Sequence, residues 1–163
     1  MSDPEFTRDG RNESVDQKMD RNWMELLQEL RVLQTGVQIL AGFLLTLPFQ
    51  SRFETLDDFQ ITLYLANVAL AALTTALILL PVSVHRRLFR LRLKATLVSS
   101  ADRIAKVALA GIGLLSVGTS AMVFDVTAGR TAGLTAGAVL LAALLILLVY
   151  VPARLRRQAM KGK

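Results

Sequence analysis

Residues 59–84 have the sequence FQITLYLANVALAALTTALILLPVSV, an unbroken run without a charged side chain. About 20 helical residues cross a hydrocarbon core of about 30 Å, so this run is long enough to span a bilayer. Lipid offers no hydrogen-bond partner to a backbone N–H or C=O group. A single segment that crosses the bilayer must therefore pair these groups within itself, and only a helix does so. The run therefore predicts a transmembrane α-helix.

Three further apolar runs of spanning length flank it, at residues 32–49, 104–124 and 131–151. The 163-residue chain is 53% hydrophobic with a mean hydropathy of +0.45, and its charges are concentrated outside these runs. The predicted fold is all-α, a four-helix transmembrane bundle of a multi-pass protein in the cytoplasmic (inner) membrane. The membrane domain covers residues 21–152.

Both ends of the chain are polar. Residues 1–20 lack apolar anchors and predict a disordered cytoplasmic tail, and residues 153–163 form a basic tail. From Asn22 onward, apolar residues recur at helical spacing around Trp23, and Asn22 with Glu25 resembles a capping box. We expect an amphipathic extension of the first helix at the headgroup level, anchored by Trp23.

Loop cations predict the orientation. Two connections contain one cation each, Arg52 and Arg130, whereas residues 86–106 contain seven Lys or Arg and the segment after Pro152 contains five. Cytoplasmic loops carry the Lys and Arg excess, which predicts that both termini are inside.

The basic segment 85–94 points to anionic lipid as a partner. At about 1 kcal/mol per cation near the surface, its side chains are predicted to bind lipid headgroups; they are Arg86, Arg87, Arg90, Arg92 and Lys94. The net charge of +6 does not indicate nucleic acid, because these cations flank apolar runs instead of lying among base-stacking aromatics.

Reactive groups are scarce. The chain has no cysteine and one histidine, which excludes thiol catalysis and Cys- or His-based metal sites. No nucleophile with a base, phosphate loop or cofactor motif is visible, so we expect neither an enzyme nor a bound metal or cofactor.

Polar side chains recur inside the predicted spans. Gln34 and Gln38 lie on one stripe of the first span, and Asn67 and Thr74 are seven residues apart on the second. The third span has a comparable stripe, which consists of Asp102, Lys106, Gly113, Ser116 and Ser120. One interpretation is interhelical hydrogen bonding; the other is a hydrated path for a proton or small cation, lined by Gln34, Gln38, Asn67 and Thr74.

Glycines and charges mark the fourth span and its boundaries. Gly129, Gly133 and Gly137 recur every four residues, a pattern typical of close helix packing, either within the chain or between protomers. Four short spans bury little surface among themselves, which favours a homo-oligomer. Asp125 with Arg130, and Asp102 with Lys106, are predicted to form ion pairs that clamp the helix ends or gate a path.

Several segments resemble a family of small actinobacterial membrane proteins described as a domain of unknown function. They are RNWMELLQELRVLQTGVQILAGFLLTLPFQSRF (21–53), LDDFQ (56–60), HRRLFRLRLK (85–94), ADR (101–103) and FDVTAGRTAG (124–133). Some members of that family are labelled sodium:proton antiporters, so the resemblance implies cation exchange.

Two functional hypotheses follow. The first is a homo-oligomeric bundle that passes a proton or small cation along an amide-lined path. The second is a non-catalytic accessory or scaffold protein assembled through Gly/Ala helix packing. A carboxylate deep in the membrane is typical of proton-coupled carriers, and every acidic residue here lies in a tail, a loop or at a span boundary.

Overall fold

The computed structural model describes residues 14–88 and 94–161, and all of its regular elements there are helical. The main helices are α1 (Val15–Thr46), α2 (Asp58–Leu88), α3 (Lys94–Ala128), α4 (Arg130–Leu145) and α5 (Val151–Lys161). Two 3-10 turns, Leu47–Phe49 and Ser51–Thr55, connect α1 to α2, and a π-helical turn, Ile146–Tyr150, joins α4 to α5. Four helical stretches are long and apolar enough to cross a membrane, which confirms the predicted four-helix, multi-pass architecture.

The first helix begins earlier than the sequence analysis placed it. Ser14 caps α1, accepting from the backbone N–H of Gln17 at 3.2 Å, while the Gln17 side chain accepts from the Ser14 N–H at 2.9 Å. This reciprocal capping box satisfies two backbone N–H groups that would otherwise be open. The predicted start at Asn22 is wrong, as is the predicted disorder for residues 15–20; residues 1–13 lie outside the described part of the chain.

The amphipathic extension continues α1 but does not lie freely on a lipid surface. Leu26 and Leu30 are buried in a core cluster with Ala101 and Ala105 of α3, and Trp23 packs at its edge. Burying apolar surface contributes about 25 cal/mol per Å². The extension therefore forms part of the bundle core.

The last helix runs on beyond the predicted span. A π-helical turn precedes Pro152, and within it the N–H of Val151 donates to the carbonyl of Ile146. Proline has no N–H and clashes with the carbonyl four residues earlier, and the wider π turn accommodates both defects. The basic tail predicted at residues 153–163 is consequently helical as far as Lys161.

Helix α3 is the centre of the bundle. It packs against α1, α2 and α4, and α1 also packs against α2, whereas α4 packs along its length only against α3 in the described part of the chain and touches α2 at its first residue, where Arg130 stacks on Phe59. In the most apolar stretch of each helix, the share of residues that are buried is 28% in α2 and in α3, 11% in α1 and 0% in the stretch that begins with α4. A single chain thus leaves most of α1 and α4 uncovered.

Candidate functional site

A polar cluster joins α2, α3 and α4 at one end of the bundle, which we call the Asp125 end. Asp57 caps α2: its carboxylate accepts from the Gln60 N–H at 2.9 Å, and the Asp57 N–H donates to the Gln60 side chain at 3.1 Å. The Gln60 amide nitrogen donates in turn to Oδ1 of Asp125 at 2.6 Å. The start of α2 is therefore hydrogen-bonded to the last turn of α3.

Arg130 completes this cluster from α4. Its Nε lies 3.1 Å from Oδ2 of Asp125, its Nη2 lies 2.5 Å from Oδ2 of Asp57, and its guanidinium carbon stands 3.8 Å above the centre of the Phe59 ring. The predicted pairing of Asp125 with Arg130 is confirmed. Both oxygens of Asp125, a side chain only 3% exposed, are hydrogen-bonded, so this arrangement is a clamp on three helices.

Asp57 lies on the water side of this clamp. Hydrogen bonds from the Gln60 backbone N–H and then from the Arg130 guanidinium hold the pKa of the Asp57 carboxyl below its usual value of 3.8. Both donors favour the charged carboxylate. The Asp57 carboxyl consequently stays ionised at neutral pH.

The turn between α3 and α4 is shorter than predicted. Helix α3 continues to Ala128, and only Gly129 interrupts it, with a φ of 91°. Glycine adopts this left-handed conformation without steric cost, and its N–H donates to the Asp125 carbonyl at 2.9 Å. Gly129 therefore has a turn role, and the prediction that it belongs to a helix-packing motif is wrong, since a Cβ there would meet nothing within 4 Å.

Asn67 and Thr74 face glycines of α3. A Cβ on Gly118 would fall on the Asn67 carboxamide, and a Cβ on Gly111 would lie 2.6 Å from Oγ1 of Thr74. Asn67 and Thr74 are 3% and 1% exposed, and they donate to carbonyls of their own helix at 2.8 and 2.7 Å. This seam between α2 and α3 is closely packed through small residues, and the hydrogen bonds of Asn67 and Thr74 stay within α2, so the interhelical hydrogen bonds predicted for these two side chains are not formed in the described part of the chain.

The face of α3 that meets α2 differs from the predicted one. It presents Gly111, Gly118 and Asp125 to Thr74, Asn67 and Gln60. In contrast, Gly113 packs against Leu144 of α4, and Ser116 is exposed.

Gln34 and Gln38 lie on α1 beside the buried stripe that contains Leu30 and Val37, and are not part of it. Both are exposed, and neither amide has a hydrogen-bond partner among the described residues. Their neighbour Val37 belongs to the same core cluster as Ile78 of α2. Ile78 lies six residues, or about 9 Å along the helix, before Val84, the last residue of the apolar run of α2. The chain does not bring them together with Asn67 and Thr74, so the predicted grouping of all four around one path is corrected for the single chain.

The remaining helix contacts of α4 are made within the chain. A Cβ on Gly133 would lie 2.6 Å from Cβ of Asp125 and 2.9 Å from the Ala121 carbonyl oxygen, and one on Gly137 would lie 3.2 Å from Cβ of Ala121. These two glycines pack α4 against α3. The sequence pattern allowed packing either within the chain or between protomers. For Gly133 and Gly137 the structure shows packing within the chain.

At the other end of the bundle, Nζ of Lys106 lies 2.6 Å from Oδ2 of Asp102, which confirms this predicted pair. Of the predicted headgroup-binding cations, Arg90 and Arg92 lie outside the described residues, and Arg86, Arg87 and Lys94 are described only as helical backbone. Within residues 14–88 and 94–161, no three His, Asp or Glu side chains are grouped to hold a metal ion.

Residues 12–152 match the model of a family of unknown function, DUF6328. The chain belongs to the DUF6328 family. No curated protein and no solved structure matches this DUF6328 chain.

Sequence reasoning missed several residues that this DUF6328 chain uses. Asp57 and Phe59 join Arg130 from a distant segment, and no local spacing signals that contact. Gly111 and Gly118 could have been found, because they repeat the seven-residue spacing of Thr74 and Asn67 in reverse order. The buried Thr119, whose hydroxyl has no partner, left no sequence signal.

Proposed function

We propose that this chain is a non-catalytic membrane scaffold whose copies associate through one face of α1. The face, here called the glutamine stripe, is exposed and consists of Arg31, Gln34, Thr35, Gln38 and Gly42. The observation that carries the proposal is the pair of amides, Gln34 and Gln38, that are exposed within an apolar span and lack hydrogen-bond partners in the described chain. An amide left open to lipid costs free energy, so association is favoured.

A second copy fits this stripe for a chemical reason. Glutamine carries both donors and an acceptor, so it pairs with the same residue across a two-fold axis. Copies of one chain insert with the same orientation, which brings parallel α1 helices face to face. Gly42 lies one turn beyond Gln38, has open space around its Cα, and lets two backbones approach closely.

The exposed face of α4 is chemically different. Its exposed large residues are apolar, among them Val139, Leu140 and Leu145. Lipid tails satisfy such side chains fully, whereas they cannot satisfy an amide. This contrast supports α1 as the assembling face and α4 as lipid-facing.

Cysteine cross-linking in native membranes tests the proposal, because the chain has no cysteine of its own. Gly42→Cys should form a disulfide-linked dimer under mild oxidation, since the sulfur bond needs Cα atoms about 4.4–6.8 Å apart. Val139→Cys on α4 is the matched control and should stay monomeric.

Removing the amides provides the second half of the test. Membrane hydrogen bonds average about 0.6 kcal/mol, so Gln34→Leu with Gln38→Leu, four amides per dimer, should weaken dimerisation by about 2 kcal/mol, roughly 30-fold. Thr135 is an exposed polar residue on α4 whose hydroxyl donates to a carbonyl of its own helix. Thr135→Leu should therefore leave dimerisation unchanged. Equal cross-linking of Gly42→Cys with and without the glutamines would refute the proposal.

A second candidate function is movement of a proton or small cation along the glutamine stripe, between copies. It is favoured by the same unpartnered amides, which could replace hydration oxygens in a seam between copies. The seam between α2 and α3 does not serve, because glycines of α3 cover Asn67 and Thr74. Liposomes with the reconstituted protein should then show a cation flux that Gln38→Leu abolishes and Asn67→Ala retains; a flux equal to that of empty liposomes argues against it.

A further inference from the structure

A cavity at the Asp125 end opens between α1, the 3-10 turns and α3. It has a volume of about 290 Å³, and its walls are mainly apolar, with Phe43, Phe53, Met122 and Val123 among them. Its polar lining residues are Gln50, Arg52, Thr119 and Thr127, and of these Arg52 carries the charge and Thr119 is buried. The cavity lies apart from the glutamine stripe and shares no residue with it.

Thr119 stands out among the hydroxyl residues of α3. It is 7% exposed, and its buried Oγ1 has no hydrogen-bond partner among residues 14–88 and 94–161. Ser116 and Thr127 on the same helix donate to the carbonyl four residues earlier, at 2.9 and 2.7 Å. The Oγ1 of Thr119 has almost no accessible surface in the present rotamer, although the Thr119 side chain lines the cavity. A buried hydroxyl without a partner is costly, so rotation about χ1 that turns the hydroxyl into the cavity is favoured by a guest that brings a hydrogen-bond acceptor.

Arg52 supplies the opposite end of the cavity. It is exposed, it reaches the Val126 carbonyl at 3.5 Å, and no carboxylate in the described part of the chain lies within ion-pair distance of it. Val126 and Thr119 are seven residues apart on α3, or about 10 Å along the helix. A guest would therefore meet a cation first and a hydroxyl about two turns deeper.

We infer that this cavity binds one glycerophospholipid, with its phosphate at Arg52, an ester carbonyl at the Thr119 hydroxyl and an acyl chain between the two phenylalanines. A glycerophospholipid carries these groups in this order from the water inward, and guanidinium groups bind phosphate through paired N–H donors. A fatty acid has a single polar group, which cannot reach both ends of the cavity. The apolar walls suit an acyl chain.

The ester linkage gives a sharp test. Native mass spectrometry of delipidated protein measures binding of the first lipid, using a diester phosphatidylglycerol and its diether counterpart, which lacks the carbonyl acceptor. One hydrogen bond predicts about fivefold tighter binding of the diester. Thr119→Val, which keeps the side-chain shape, should reduce this ratio to one; Thr135→Val on α4 should leave it unchanged.

The cation is tested in the same titration. Arg52→Gln should weaken binding of both lipids about fivefold without changing their ratio. A single cysteine at Val123→Cys should react more slowly with a thiol reagent when the diester is bound, while one at Val139→Cys should not. Equal affinity of the original protein for both lipids, or an unchanged ratio in Thr119→Val, would overturn the assignment.

Discussion

Replacement of Gly133 by alanine tests how closely α3 and α4 approach. The added Cβ would lie 2.6 Å from Cβ of Asp125 and 2.9 Å from both Cα of Asp125 and the Ala121 carbonyl oxygen. Ordinary carbon contacts are about 3.5–4.0 Å, so the two helices must separate by about 1 Å. Overpacking of this kind costs about 1–3 kcal/mol, and alanine recovers up to about 1 kcal/mol in helix propensity. We expect a net loss of about 1–2 kcal/mol.

Two matched variants separate this clash from propensity. Gly137→Ala meets only the Ala121 side chain, at 3.2 Å, so strain and propensity should nearly cancel. Gly36→Ala, which lies outside the glutamine stripe, meets nothing within 4 Å and should gain up to about 1 kcal/mol. Reversible unfolding by SDS in mixed micelles, followed by helicity, gives the three free energies. If Gly133→Ala were as stable as Gly137→Ala, the close approach of α4 to Asp125 would be refuted.

Three further predictions concern polar groups. Asp57 has a lowered pKa, held by the Gln60 N–H, so its stabilising effect is complete above its usual pKa of 3.8 and is lost as the pH falls through its lower folded value. The difference in SDS stability between the original protein and Asp57→Asn should therefore shrink between pH 7 and pH 3. Gly118→Ala should destabilise by about 1–3 kcal/mol through the Asn67 side chain, and less in an Asn67→Ala background, as a double-mutant cycle will show. Asp102→Asn removes an exposed ion pair, so unfolding should change by less than about 1 kcal/mol, and by less still in high salt.

The all-helical class and the number of helices were predictable because they depend on interactions within each segment. Each apolar run must satisfy its own backbone in lipid, so length and composition suffice. The start of α1 was predictable too, since Ser14 and Gln17 have the spacing of a capping box. It was missed because the charged residues that follow resemble a disordered tail.

Helix faces were harder to predict than helix positions. The seven-residue spacing of Asn67 and Thr74 correctly marks a buried stripe on α2, yet the equally regular Gln34 and Gln38 are exposed. Polarity shows that a side chain needs a partner in lipid without showing which helix provides it. The rotation of α1 is set by Leu30, Val37 and Leu44, which fill the core from the neighbouring face of the helix.

Long-range pairing was the least predictable feature. Arg130 pairs with Asp125, as expected from their closeness in sequence, but its second carboxylate, Asp57, comes from a segment 73 residues away. That contact depends on how the α2 and α4 starts meet at the Asp125 end. The helix order around α3 determines it, and no spacing in the sequence encodes that order.

In the proposed dimer, the glutamine stripe of α1 faces a second copy of the chain in the bilayer. Spin labels on Gly42→Cys, measured by double electron–electron resonance in liposomes, address it directly. Packed helices lie about 8–10 Å apart, so we expect interspin distances of roughly 15–20 Å, and these should disappear with Gln34→Leu and Gln38→Leu. A featureless background from Gly42→Cys, together with short distances from labels on Val139→Cys, would show that α4 and not the glutamine stripe faces the second copy.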